Sequence, residues 1–292
     1  MSICIFCHKD SSTSKSVEHI IPESLGNKEH ILPKGYVCDA CNNYFSVKIE
    51  KELLAQPYFV SMRRRNDIRT KKGNYVAEDM LFPGAHKASD TIFDLKENAL
   101  YIKDNDVVKS IIEGKCSYAI ARYIEEPEYP DKIMSRFLAK CAYESFFLMG
   151  GEHDYQLWLK ERDNKESMFH DFDKLRQFAR YGVGEWPYSQ RRIYSEGTFF
   201  SYKGCEPYEV LHEQKFFFRE VEKIDEHKFL AELYFVLVIC GIEYVICVTD
   251  PDISGYNLWL KDHPNHSPIE DDDEKRLDIG MYDINPFLIK TK

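Results

Sequence analysis

Apolar and polar positions alternate with three different rhythms along the chain, and each rhythm predicts a different kind of structure. In the first 54 residues the apolar runs are short and β-branched. Residues 17–21, V-E-H-I-I, predict a strand that Pro22 ends, and Tyr36 with Val37 predicts its returning partner. Between them Gly26, Asn27, Pro33 and Gly35 mark a long loop, and residues 10–16, D-S-S-T-S-K-S, mark a polar one. Phe45, Ile49 and Leu53 then recur every four residues, which predicts a helix from Asn42 or Asn43 to about Leu54. Counted at about 100° per residue, Asn42 falls on the same stripe, which aims it at the hairpin carrying His19.

Pro57 opens a second region. Short β-type runs between residues 74 and 103 are broken by Pro83 and Gly84, and a helix is predicted over residues 105–126, with Val108, Ile111, Ile112, Tyr118, Ala119 and Ala121 on its apolar face. A stronger helix is predicted over residues 131–149, with Met134, Phe137, Leu138, Cys141 and Ser145 on its stripe, stopped by Gly150 and Gly151. Shorter helices follow around residues 155–160 and 168–181. From residue 191 the rhythm turns to β, with strands at 198–202, 215–220, 230–240 and 244–249 and a hairpin turn at Gly241, Ile242 and Glu243. The last thirty residues, acidic over 270–274, read as irregular surface. The fold class expected is α+β. A small clamped domain spans residues 1–56, and a larger α+β domain spans 57–292, with central helices and a C-terminal antiparallel sheet.

Composition narrows this picture. With 43% hydrophobic and 30% charged residues in 292, the chain suits a globular protein, and its longest apolar runs, such as 234–241, are far too short to cross a bilayer. The start, M-S-I-C-I-F-C-H, lacks the layout of a signal peptide, so a cytoplasmic location is expected. The net charge of −10 argues against nucleic acid until it is resolved along the chain. Residues 1–72 carry 12 Lys/Arg against 8 Asp/Glu, and the rest carry 27 against 41. A basic N-terminal part on an acidic body can grip a polyanion locally. Arg63, Arg64, Arg65, Lys71 and Lys72 form its densest strip, read either as a solvated charge run or as a set of phosphate contacts.

Nine cysteines without an export signal point to metal rather than disulfides. Only Cys4, Cys7, Cys38 and Cys41 form C-x-x-C pairs, and four thiolates so spaced suit one tetrahedral Zn²⁺. Cys116, Cys141, Cys205, Cys240 and Cys247 lie among apolar residues and read as core. A four-cysteine site has no open position, so any chemistry must come from its neighbours. His19 offers a base whose ordinary pKa lies near neutrality, Glu18 an oxygen ligand for a hard divalent ion, and Asn42 a second oxygen near a helix N-terminus. Each has a plainer reading: a packed strand histidine, an exposed strand glutamate, and a helix cap. Neighbours in a strand point to opposite faces, so Glu18 and His19 can share a site only where the strand bends. Ser46 and Glu50 lie further along the helix within reach of such a metal, and His8 and His30 flank the clip.

The run C-x-x-C, then Glu18-His19-Ile20-Ile21-Pro22, then C-x-x-C-N resembles the four-cysteine branch of the HNH (ββα-metal) endonucleases over roughly the first 55 residues. The resemblance implies a zinc-clamped ββα-metal fold that hydrolyses DNA. It implies that His19 is the general base, and that Glu18 and Asn42 ligate a catalytic Mg²⁺ or Mn²⁺. The middle asparagine of many such enzymes falls here on Pro33, which leaves Asn27 or a backbone carbonyl to orient His19. Residues 57–292 could read DNA, sense a signal or pair two copies as a homodimer, and use in bacterial restriction or phage defence is an analogy of the family. A catalytically silent zinc-ribbon module that binds nucleic acid or protein is the competing expectation.

Overall fold

A computed structural model of the protein describes residues 2–94, 96–164, 167–201, 208–223, 229–270 and 277–278. Cys205 and most of the acidic stretch 270–274 therefore lie outside the described residues. The chain packs as two compact units. One gathers Met1–Ile20, Ile31–Phe45 and Tyr129–Lys292, and the other gathers Ile21–His30 and Ser46–Glu128.

In the N-terminal segment the expected strands shrink to isolated bridges, Ile3 to Asp10 and His19 to Ile31. The helix starts earlier than its apolar stripe suggests: α1 (Asp39–Phe45) runs into a π-helical turn at Ser46–Glu50 and then α2 (Lys51–Leu54). At its first residue the Asp39 carboxylate accepts Lys15 N at 2.9 Å and Ser16 N at 2.8 Å and ties the polar loop to the first turn. Phe45, Ile49 and Leu53 are all buried, as their spacing requires.

The second unit holds α3 (Pro57–Arg65), the antiparallel sheet β1 (Glu78–Phe82), β2 (Lys87–Asp94) and β3 (Ala99–Ile102), and α4 (Asn105–Ile112). Its core is Met80, Phe82, Val107 and Cys116. The helix expected to reach residue 126 ends at Ile112. Gly114 turns the chain with φ +73°, and Ile120 then bridges Leu81. The apolar residues beyond Ile112 follow an extended path, so their helical spacing was fortuitous.

The first unit is organised around α5 (Lys132–Glu161), which breaks at Gly151, where φ is +56°. Asp131 caps it, accepting Ile133 N at 3.0 Å and Met134 N at 3.2 Å. Between Met134 and Ser145 nearly every side chain is buried, so this is a helix enclosed on all sides rather than one with a single apolar stripe. α6 (Met168–Tyr181) packs along it. A four-stranded antiparallel sheet lies beside α5, in the order β4 (Tyr188–Arg192), β9, β8, β7. Here β7 spans His212–Lys223, β8 Phe229–Ile239 and β9 Ile242–Cys247. Short strands β5 (Phe199–Ser201), β6 (Tyr208–Glu209) and β10 (Leu277–Asp278) form a separate small sheet.

The face of the large sheet carrying Tyr234, Val236, Val238 and Val245 is covered by α7 (Ser254–Asp262) through Tyr256 and Trp259. The sequence rhythm missed β4 and α7, both of which mix apolar and polar residues too closely to show a period. It also set the hairpin turn one residue late. Cys240 and Gly241 both have positive φ, 47° and 80°, and make the two-residue turn themselves.

Gly241 is needed there twice over. Its left-handed backbone disfavours a Cβ, and a Cβ would come within 2.1 Å of the Tyr194 carbonyl oxygen. Gly241→Ala is expected to lower unfolding free energy by about 3 kcal/mol in urea titrations. A change within experimental error would show that the close approach to Tyr194 does not exist.

Candidate metal centre and active site

Cys4, Cys7, Cys38 and Cys41 converge so that their sulfurs all lie within 4.8 Å of one another, with Cys7 Sγ and Cys38 Sγ at 3.6 Å. Sulfurs around a tetrahedral zinc, each at about 2.3 Å, stand about 3.8 Å apart. Backbone amides already point at them: Cys38 N donates to Cys4 Sγ and Cys41 N to Cys38 Sγ, both at 3.4 Å. The thiols cannot ionise independently. The hydrogen bond from Cys41 holds the Cys4 thiol down to about 5, and the same bond, with burial, pushes the Cys41 thiol far up. Burial raises Cys7 to about 11. A single divalent ion resolves this competition by stabilising all four thiolates together, so the donor set suits zinc.

Two arginines of α6, which no cysteine pattern announces, brace the clip. Arg180 Nε donates to Cys41 Sγ at 3.3 Å, and its guanidinium lies 3.7 Å from the centre of the Tyr44 ring. Arg176 donates to the Phe6 carbonyl and pairs with Asp173 at 2.6 Å. Positive charge beside four thiolates offsets the net negative charge that they leave around a divalent ion. His8, adjacent to Cys7, packs its ring 5.4 Å from Trp158, and burial there pulls its pKa down.

The residues expected to do chemistry differ in exposure along one short segment. Val17 is exposed and His19 half-buried, its ring Nδ1 enclosed, while Glu18 between them is only 6% exposed. The Glu18 carboxylate meets the ammonium of Lys140 at 2.7 Å. Asn42 lies in the first turns of α1 rather than at its cap, since its amide bonds Cys38 O. Its side-chain Nδ2 donates to the carbonyl of Val17, two residues before His19, at 3.1 Å, so helix and strand are joined beside the histidine. Asn27 is buried and saturated within its own loop: it donates to Ile21 O and His30 O and accepts from Glu29 N and His30 N. Ser46 and Glu50 fall in the π-helical turn.

The basic strip is largely absorbed by the fold. Arg63 is buried, which lowers its pKa; Arg64 pairs with Glu78; Arg65 bonds Ser61 Oγ at 2.7 Å and covers the Tyr123 ring. Lys71 and Lys72 remain at the surface, the Lys71 side chain 73% exposed.

Residues 4–57 match the family model of the HNH endonuclease. No curated protein and no solved structure matches the chain. Among the described residues, no helix is long and apolar enough to cross a membrane.

One zinc per chain is expected by elemental analysis, and Cys38→Ser is expected to abolish it. Arg180→Leu should keep the zinc but release it to a competing chelator about tenfold faster, the scale of effect that outer partners of metal ligands have. Unchanged release would detach Arg180 from the metal centre.

Proposed function

We propose that this protein is an endonuclease that hydrolyses phosphodiester bonds of DNA with Mg²⁺ or Mn²⁺. The observation that carries the reading is His19, half-buried at an isolated bridge between the two cysteine pairs, within the segment that matches the HNH endonuclease model. Phosphodiester hydrolysis needs a base to take a proton from the attacking water, and a histidine does so near neutral pH. Asn42 stands next to the strand with its amide nitrogen committed to Val17, which turns its oxygen into the available donor for a divalent ion. Such an ion, when bound, offsets the negative charge that builds on the phosphate. Glu18 does not fit as its companion ligand, because Lys140 occupies its carboxylate. The zinc clip acts only on the fold, since four thiolates leave no position for water.

Lys72, and Lys71 beside its exposed partner Glu23 at 3.8 Å, are the members of the basic strip at the surface to contact phosphate, as point charges that carry no sequence information. Among the described residues the cysteines form no disulfide, which goes with a reducing compartment and supports action in the cytoplasm. Restriction or phage defence is the setting in which a DNA-cutting activity of this kind fits, and two copies cutting opposite strands would make a double-strand break. The competing reading, a zinc-ribbon module without catalysis, draws its support from the engagement of Glu18.

His19 separates the two readings. Wild-type protein is expected to nick or linearise plasmid DNA with Mg²⁺ or Mn²⁺, and His19→Ala to lower the rate by at least about a hundredfold, with zinc content unchanged. Equal cutting by His19→Ala would remove the base from the mechanism. No cutting by zinc-loaded wild-type protein would favour the silent module. A charge-reversing Lys71→Glu/Lys72→Glu variant should weaken DNA binding and flatten its salt dependence, read by fluorescence anisotropy over a salt series.

A further inference from the structure

Lys140 sits in the middle of α5 with no exposed surface, and its ammonium lies among four oxygens. Glu18 Oε1 is at 2.7 Å, and Glu144 Oε2, one turn along the same helix, is at 3.1 Å. The carbonyl oxygens of His19 and Ile20 are each at 3.1 Å. Cys141, the next residue of α5, adds a thiol contact to the Ile20 carbonyl at 3.1 Å. On its other edge the strand receives Leu32 N on the Glu18 carbonyl at 3.0 Å. The ring of Phe45 from α1 stands 5.9 Å from the ammonium.

Each contact bears on the orientation of His19. The two carbonyls gripped by Lys140 belong to His19 itself and to the residue after it, so the peptide plane leaving His19 is held by a buried charge. Glu18 is held by the same ammonium, so its side chain and the two peptide units after it are fixed at one point, and His19 lies between them.

A carboxylate sealed from water against an ammonium is a poor ligand for a hydrated divalent ion. Binding one would place two like charges, ion and ammonium, on the same group, and would cost the lysine its partner. We propose that Lys140 is a positioning residue for His19, and that Glu18 serves as the anchor through which it acts rather than as a ligand of the catalytic divalent ion. The proposal rests on the phosphodiesterase reading of His19, and it places the control of that histidine on a helix outside the segment matched by the family model.

The test compares wild-type protein with K140M, E18Q and the double variant E18Q/K140M, all zinc-loaded and checked by circular dichroism. Two quantities are read on plasmid DNA: the cutting rate at saturating Mn²⁺ and the Mn²⁺ concentration giving half that rate. Each single variant is expected to lose at least tenfold in rate while its half-saturating Mn²⁺ stays within twofold of wild type. The double variant, which leaves Glu144 as the one buried charge where K140M leaves both carboxylates, should be no slower than K140M. A tenfold or larger rise in half-saturating Mn²⁺ for E18Q, with none for K140M, would make Glu18 a metal ligand and overturn the proposal.

Amide hydrogen exchange gives a readout independent of cutting. In K140M the Leu32 amide should exchange at least tenfold faster, while Val236 and Val245 in the distant sheet keep wild-type rates. Wild-type exchange at Leu32 would overturn the anchoring role. If wild-type protein does not cut DNA at all, the nuclease reading fails by itself, and the exchange rates still decide whether Lys140 holds the strand. Should K140M fail to fold, E18Q decides both points, because it removes the anchor charge and keeps a neutral acceptor of the same shape.

Discussion

A charged group cut off from water must be surrounded by opposite charge or by dipoles, and Lys140 is where that demand shapes this molecule. Its helix is buried on nearly every side, so no solvent can serve the ammonium. The oxygens that serve it come from Glu144 on the same helix and from Glu18, His19 and Ile20 of the N-terminal strand. The strand in turn lacks a full ladder of its own, being joined to its neighbour by a single bridge at His19 and Ile31. Each element supplies what the other lacks: the helix gains counter-charges, and the strand gains a rigid backing.

The four-cysteine clip follows the same logic one layer away. Four cysteines held by short turns bring together more negative charge than one divalent ion cancels, and Arg180 stands against Cys41 while Arg176 holds the Phe6 carbonyl between the first two cysteines. A segment of this length buries too little apolar surface to be stable by itself and ordinarily relies on its metal. Here it relies as well on α6, through Arg176 and Arg180, and on α5, whose aromatic residues Tyr143, Phe147 and Trp158 continue the core begun by Phe6 and Phe45. The N-terminal cysteine segment and the central helices are parts of one folded body.

The sequence made the metal clip readable because cysteine spacing encodes geometry directly: two residues between thiols leave few ways to build a turn. Strong apolar periods were readable for the same reason, and α6 appears at the residues its pattern marked. Burial of polar residues was not readable. Glu18 looks like a surface or ligand carboxylate until its partner is known, and that partner lies more than a hundred residues away. A hint was present in F-L-A-K-C-A-Y-E-S-F-F, where a lysine and a glutamate four apart interrupt an otherwise apolar helix. The arginine run misled in the opposite direction. Its charge density suggested a surface strip, but Arg63, Arg64 and Arg65 spend their guanidinium groups on burial, on Glu78 and on Ser61.

The stretches that build the first unit are separated in the chain by the whole of the second, and the lysine that holds the Ile20 carbonyl lies 120 positions after it. Long loops must close before such contacts can form, and a growing polypeptide emerges from its N-terminus at roughly 5–20 residues per second. The strand bearing His19 is therefore made early and locked late, several seconds after its own synthesis. During that interval the cysteines can already collect their metal, but the histidine has no fixed backing. A cell that makes this protein is thus given a delay, written into the order of the chain, between producing His19 and completing the scaffold that holds it in place.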